Sequence, residues 1–276
     1  MLYRFTGGDD GGQPGSGQLI FDQAGNLYGT TQEGGSRDNG MVYKLMQSDN
    51  GWTESVLYSF TGGTATARGP DGGDPVSGVI FDGTGNLYGT AWVGGTYGCG
   101  TVYKLTPSGS GWRENTLHTF TCGIDGGNPV GGLTFDQSGN LFGTTDDHGA
   151  GSGGVVFSLA PCPFSWTYSV LYSFTGQLGA NGPYANLVFD ADGNIYGTAY
   201  RDGAYGFGSV FKLTNTENGW VYTSLHDFTG GKDGAYPYSD VTIGSDGTLY
   251  GTASGGGSSE GPCTGYGCGV VWMIKP

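Results

Sequence analysis

Positive charge is scarce in this chain: Lys and Arg total 10 against 24 Asp and Glu, a formal net charge of −14 over 276 residues. A phosphate-backbone partner needs a basic groove, so nucleic acid is excluded, and neutral sugars, cations or basic proteins are left. No apolar run approaches the roughly 20 residues that span a bilayer, so no membrane insertion by a helix is expected. Histidine is limited to 3 residues. There is no nucleophile-base-acid set, no phosphate loop and no Cys-x-x-Cys pair. Helical periodicity is almost absent, which leaves an all-β chain.

Glycine is plentiful, with 60 residues. Alone that suggests low complexity, but these glycines recur at fixed places beside aromatic and β-branched residues, as turns and close-packing positions do. The string Gly85-Asn86-Leu87-Tyr88-Gly89-Thr90 has counterparts at 25–30, 139–144, 193–198 and 247–252. The leading glycines are 60, 54, 54 and 54 residues apart, a period of 54 with a six-residue insertion at about Thr64 to Gly69. A fixed period of this length means stacked supersecondary units.

Each unit holds four β-like runs, A to D. In the first they are Gln18-Leu19-Ile20-Phe21, 26–30, 41–45 and 52–60. The A runs are apolar at successive positions, as in a sheet covered on both faces. The A to B turn starts at Asp22, Asp82, Asp136 or Asp190 with Gly three residues on, type I turn chemistry rather than a clustered calcium loop. Five four-stranded antiparallel sheets at constant period predict a single five-bladed β-propeller over residues 1–276, with repeats at about 18–60, 78–120, 132–174, 186–228 and 241–274 plus 1–5. The last repeat stops without a D strand, and Leu2-Tyr3-Arg4-Phe5 reads as the missing one. The expected ring is closed by that N-terminal strand beside Val270 to Ile274. Met1 to Gly8 already reads as the end of a repeat, so a domain cut from a longer precursor is expected, and the lack of a legible signal peptide decides nothing.

The Gly-Asn-Leu-Tyr-Gly-Thr string, Gly98-Cys99-Gly100-Thr101-Val102-Tyr103-Lys104-Leu105, Gly111-Trp112 and the Leu57-Tyr58-Ser59-Phe60-Thr61-Gly62-Gly63 strand resemble the GloVer tandem repeat over essentially the whole chain. That family of large bacterial secreted or surface-anchored proteins implies a location and an architecture, not a settled activity. The B-turn portion is also loosely similar to NHL-type propeller repeats.

In a propeller the D to A and B to C loops share one face. The D to A loops present Asp10, Asp71, Asp125 and Asp233, each followed by Gly and, three residues later, a Pro after one variable residue; the fourth repeat departs, with Asn181. One reading is that these carboxylates brace glycine-rich turns. The other is that they ring a mouth and bind hydroxyls or a cation. The B to C loops vary most and carry Trp92, Tyr97, Tyr200, Tyr205, Phe207 and Tyr266, while Tyr184, Tyr236 and Tyr238 lie in D to A loops. Aromatic rings beside carboxylates and amides suit a sugar, the ring stacking on C–H bonds and the polar groups taking hydroxyls. The expected ligand-binding set is Asp10, Asp71, Asp125, Asp233, Trp92, Tyr97, Tyr200, Tyr205, Tyr236 and Tyr266.

His118 and His226 replace tyrosines of D strands and read as packing variants. Asp146, Asp147 and His148 are neighbours that could hold a metal, but three residues in sequence rarely supply a ligand set. No metal or cofactor is expected, although a structural cation such as calcium is compatible with the loops. A glycosidase needs two carboxylates about 5 to 10 Å apart, and only the non-repeated Glu33, Asp38, Asp74, Asp146, Asp147 and Asp202 qualify. Of the five cysteines, Cys263 and Cys268 share a loop and are expected to form a disulfide; Cys99 and Cys122 flank one face of the second repeat, and Cys162 is odd. Disulfide use fits an extracellular or cell-surface setting. The leading expectation is a monomeric, lectin-like module binding a glycan or polysaccharide at several related sites. The alternatives are a glycoside hydrolase or polysaccharide lyase with one axial site, and a scaffold or adhesion module without a small ligand.

Overall fold

A computed structural model describes residues 1–49, 51–62, 69–176, 182–258, 263, 265 and 267–276. No helix occurs among them. The strands form five antiparallel sheets, the blades of an all-β, five-bladed propeller fold. The first blade comprises β1 (Gly12–Pro14), β2 (Ile20–Phe21), β3 (Leu27–Glu33), β4 (Met41–Ser48) and β5 (Gly51–Ser59). β1 and β2 are two pieces of one inner strand, both paired with β3. The second has β6 (Ile80–Phe81), β7 (Leu87–Ala91), β8 (Thr101–Ser108) and β9 (Gly111–Thr119). The third has β10 (Thr134–Phe135), β11 (Leu141–Thr145), β12 (Val155–Cys162) and β13 (Ser165–Ser173). The fourth has β14 (Val188–Phe189), β15 (Ile195–Ala199), β16 (Ser209–Thr216) and β17 (Gly219–Asp227). The fifth has β18 (Ala235–Pro237), β19 (Thr242–Ile243), β20 (Leu249–Gly255) and β21 (Val270–Ile274).

Packing divides the chain into two compact units. One is Met1–Cys122, Gly127–Leu133 and Pro163–Trp166; the other is Gly123–Gly126, Thr134–Cys162 and Thr167–Pro276. In each unit the same device joins successive sheets: the phenylalanine ending one blade's outer strand meets an aromatic ring in the third strand of the next. Phe60 lies edge-on to Tyr103 at 5.0 Å in the first unit, and Phe174 to Phe211 at 5.3 Å in the second. All four of these rings are buried. The glycine of the repeated string makes room for this layer. A Cβ on Gly89 would stand 2.4 Å from Tyr103 Oη, so only glycine lets the ring lie over the adjacent strand.

The inner runs expected to be covered on both faces are so where Val79, Leu133 and Leu187 stand, all 4% exposed or less. The first repeat differs, since Leu19 and Phe21 are 50% and 65% exposed. The inner ladders are also shorter than expected, and β7, β11 and β15 are the strands buried throughout.

The N-terminal strand requires a correction. Residues 2–5 form no strand, and among the described residues β21 is paired with β20, with Val271 and Met273 81% and 67% exposed. The first residues are instead tied to the first blade. Phe5 meets Tyr43 edge-on at 4.9 Å, Tyr3 Oη donates to Asp10 at 3.1 Å, and Thr6 N–H donates to the same carboxylate at 3.0 Å. They hold against the first blade the place that Tyr58, Phe60 and Thr61 hold against the second. Side-chain anchoring of this kind is independent of a ladder, which is why the repeat pattern located the segment without securing its pairing.

Candidate functional site

Three of the repeated D to A aspartates, Asp10, Asp71 and Asp233, are hydrogen-bonded through their carboxylates inside their own repeats. Asp71, 4% exposed, accepts from Tyr58 Oη at 2.8 Å, Thr61 N–H at 2.9 Å and Thr61 Oγ1 at 2.6 Å. Asp10 accepts from Tyr3 and Thr6 in the same way. Asp233 accepts from Thr229 N–H at 2.9 Å and from Thr229 Oγ1, and lies 3.2 Å from His226 Nε2. Hydrogen bonds from Thr6 hold the Asp10 carboxyl below its ordinary range; at Asp233 burial pushes upward but the Thr229 and His226 bonds outweigh it. His226 is therefore more than a packing variant, since it replaces a tyrosine hydroxyl as partner of the bracing carboxylate. The main-chain carbonyl of Asp125 accepts from Tyr168 Oη at 2.5 Å.

One step along these loops is a position built for display. Gln13, Asp74, Asn128 and Tyr236 have φ of 48°, 49°, 56° and 57°, each immediately before a proline. A non-glycine residue held there costs on the order of 1–3 kcal/mol. The geometry is fixed by a bond to a B to C carbonyl: Asp74 N–H to Asn39 at 2.9 Å, Asn128 N–H to Cys99 at 2.7 Å and Tyr236 N–H to Phe207 at 2.7 Å. The fourth repeat has Gly182, which bonds Asp146 O at 2.9 Å.

In the first unit the position gathers carboxylates. Burial, then the charges of Glu33 and Asp38, push Asp74 up to about 6. Trp92, 37% exposed, donates its N–H to Asp74 O at 3.2 Å, and its own carbonyl accepts from Asn128 Nδ2 at 3.1 Å. Tyr97, 51% exposed, sits on the same loop, which the Cys99–Cys122 disulfide fastens.

In the second unit it gathers tyrosines. Tyr200 and Tyr236 lie 5.2 Å apart, Tyr184 and Tyr238 stack at 4.9 Å, and Tyr200 meets Tyr184 at 5.4 Å and Tyr238 at 5.2 Å. The Arg201 guanidinium lies 5.4 Å from both the Tyr200 and Tyr236 rings. A cavity of about 490 Å³ adjoins Tyr236 and is lined by Phe207 and Lys232. Asp146 belongs to the same group. It is 8% exposed, one carboxyl oxygen has no partner, and burial followed by the Asp147 charge raises it to about 7 against a weaker opposing bond from Tyr184. A buried, half-satisfied acid beside half-buried phenol rings can give or take a proton near neutral pH.

Of the expected site residues, Tyr200 and Tyr236 are thus brought together, and Asp74 with Trp92. Tyr205 is 57% exposed. Tyr266, Asn181 and the insertion from Thr64 to Arg68 lie outside the described residues. Arg201 escaped sequence reasoning. Its signal was the pair Pro183-Tyr184 and Pro237-Tyr238, one period apart where other repeats have Gly15, Val76 and Val130. Asp202 accepts from Thr175 Oγ1 at 3.3 Å and is raised by burial and then by Asp227. His148 Nε2 is 4.0 Å from Asp147 Oδ2. The expected Cys263–Cys268 disulfide is present, and Cys162 is free and exposed.

The sequence profile of the Gloeobacter/Verrucomicrobia repeat matches residues 63–264. The chain belongs to this repeat family. Similar solved structures include an ulvan lyase of a polysaccharide lyase family, bound to -[GlcA(1-4)Rha3S]-, at 13% identity and TM-score 0.58, covering 96% of this chain and 71% of the lyase. A glucose dehydrogenase is 17% identical with TM-score 0.51, covering 95% of this chain and 84% of the other. A protein of unknown function from Dyadobacter fermentans is 13% identical with TM-score 0.52, covering 87% and 74%. At such identities the likeness is one of fold. No curated protein matches the chain in sequence.

Proposed function

We propose that this repeat protein binds a glycan, and that one site, on the tyrosine platform of Tyr184, Tyr200, Tyr236 and Tyr238, carries the binding. The observation behind this reading is that four phenol rings from three loops meet, two of them, Tyr184 and Tyr238, where other repeats have Gly or Val. Their faces offer stacking surface for pyranose C–H bonds, while Asp146, Arg201 and the phenol hydroxyls offer partners for sugar hydroxyls. The cavity beside Tyr236 extends the surface by about one more residue of a chain. Asp10, Asp71 and Asp233 already hold bonds from their own repeats, which supports one site rather than several. Two disulfides in a repeat family of bacterial proteins favour an extracytoplasmic location.

A second reading rests on Asp146 alone. A carboxyl raised to about 7 could act as the general acid of a hydrolase or lyase working on the bound glycan. A glycan array combined with a reducing-end assay and an unsaturated-uronate assay on the same polysaccharides separates the two. For binding, calorimetry gives one ligand per chain, and Tyr200→Ala or Tyr238→Ala weakens it about tenfold, a loss of ~1.4 kcal/mol. For catalysis, turnover is seen and Asp146→Asn abolishes it. If no glycan binds and no ends are released, the scaffold role is what stands.

A further inference from the structure

At the other end of the strands, three repeats share one internal arrangement that the third repeat has lost. The A to B aspartate accepts a phenol hydroxyl, from Tyr28 to Asp22, Tyr88 to Asp82 and Tyr196 to Asp190, each at 3.0 Å. Opposite each tyrosine in the ladder stands a lysine, Lys44, Lys104 or Lys212. Its Nζ lies 5.3, 5.3 and 5.5 Å from the ring centroid, and Lys44 Nζ is also 3.5 Å from Asp22. In the first repeat the ammonium is thus held between an aromatic face and a carboxylate, which favours it twice over, and in the second and fourth it lies over the ring whose hydroxyl the aspartate accepts.

The third repeat keeps the carboxylate and loses both partners. Phe142 stands for the tyrosine and, across the ladder, Ser158 for the lysine. Asp136 still accepts from Ser138 N–H at 2.8 Å, Asn140 N–H at 2.9 Å and Asn140 Nδ2 at 2.7 Å. The hydroxyl and the ammonium are gone. The fifth repeat has Gly244 and Met273 at these two places, and the carboxylate of its turn is Asp246, which accepts from Thr248 Oγ1 at 2.8 Å. A cavity of about 330 Å³ lies beside Asp136 and Phe142. Its apolar wall is Phe142, Phe189 and Trp220, with Phe142 5.0 Å from Phe189 and 6.0 Å from Trp220, and Asp190 and Asp192 add charge at its rim.

We propose that this cavity binds a protonated primary amine from outside the chain, its ammonium set between the Phe142 face and the Asp136 carboxylate, as Lys44 is set in the first repeat. The net charge of −14 favours any cationic visitor, but the aromatic wall selects one with C–H surface beside its ammonium. Two sources carry such a group, a lysyl side chain and an amino sugar. The site is independent of the tyrosine platform and of the function proposed for it.

The test is a titration of the ¹⁵N-labelled protein with n-butylammonium chloride, followed at the Trp220 indole N–H, which Trp220→Phe assigns, with sodium chloride at matched ionic strength as control. A saturable shift is expected. Ser158→Lys supplies the missing ammonium from within and should abolish it; Asp136→Asn should weaken it about fivefold or more. Ser158→Lys puts at this ladder position the residue that three other repeats carry there, and an unchanged unfolding midpoint checks that its fold is kept. Competition by N-acetyl-lysine methylamide or by glucosamine tells the sources apart, while N-acetylglucosamine, lacking the ammonium, should not compete. No saturable shift, or one equal in wild type and Ser158→Lys, overturns the proposal.

Discussion

Replacing Asp146 by Asn should change how stability depends on pH more than it changes stability at any one pH. Burial is the main reason this carboxyl is raised from its ordinary 3.8 to about 7, with Asp147 adding to it. Between those values the folded protein holds a proton that the unfolded chain has released. The sign follows: the contribution is fully present below pH 3.8, is lost as pH rises toward about 7, and is flat above. The gap from 3.8 to about 7, at ~1.4 kcal/mol per pH unit, sets an upper bound of ~4 kcal/mol. Water reaching the loop lowers the effective figure, and about 2–3 kcal/mol is expected.

The assay is urea unfolding of wild type and Asp146→Asn at intervals from pH 4 to pH 8.5. Burial also raises Glu54 and Glu114 to about 7 and Asp74 to about 6, so both proteins lose stability as pH rises. The difference between the two curves isolates Asp146. Asn should be close to wild type, or slightly worse, at pH 4.5 and more stable by about 2–3 kcal/mol at pH 8, because no buried charge then forms. A difference that stays constant across the range would show that Asp146 titrates as an ordinary carboxyl, and would remove the basis for a general acid at this place.

The other expectations are brief. Asp71→Ala leaves Tyr58 Oη and Thr61 N–H without their buried acceptor and should cost about 3 kcal/mol in denaturant unfolding, while leaving any glycan affinity at the tyrosine platform unchanged. Alkylation in denaturant without reductant should label one thiol, Cys162, and after reduction all five; five labels without reductant would remove both disulfides and the case for export.

The fold was legible because a 54-residue period forces the same solution on every repeat. Gly89 beneath Tyr103 and Phe60 against the same ring are local demands that the sequence writes out repeatedly, so errors in reading one copy are corrected by the others. What period could not supply was the pairing of residues 2–5, because that segment has no second copy. Its anchoring on Tyr43 and Asp10 depends on side chains that would serve equally in or out of a ladder.

The site was legible only in part, and for the converse reason. Repetition drew the eye to Asp10, Asp71, Asp125 and Asp233, yet a residue repeated in four of five blades is most economically explained by what those blades share, a braced loop. Specific chemistry resides where one copy departs: Tyr184 and Tyr238 where others have Gly or Val, Asp146 where others have Trp, Tyr, Gln or Ser, and Phe142 with Ser158 where others have Tyr with Lys. Each departure is visible in the aligned repeats. Its meaning needed the structure, since only the fold shows that Tyr184 and Tyr238, 54 residues apart, stack on one another, and that the loss of Lys at position 158 leaves an aromatic cavity beside Asp136 rather than a collapsed surface. In a protein built from copies, the mismatched residues are the ones whose side chains have something other than the blade itself to hold.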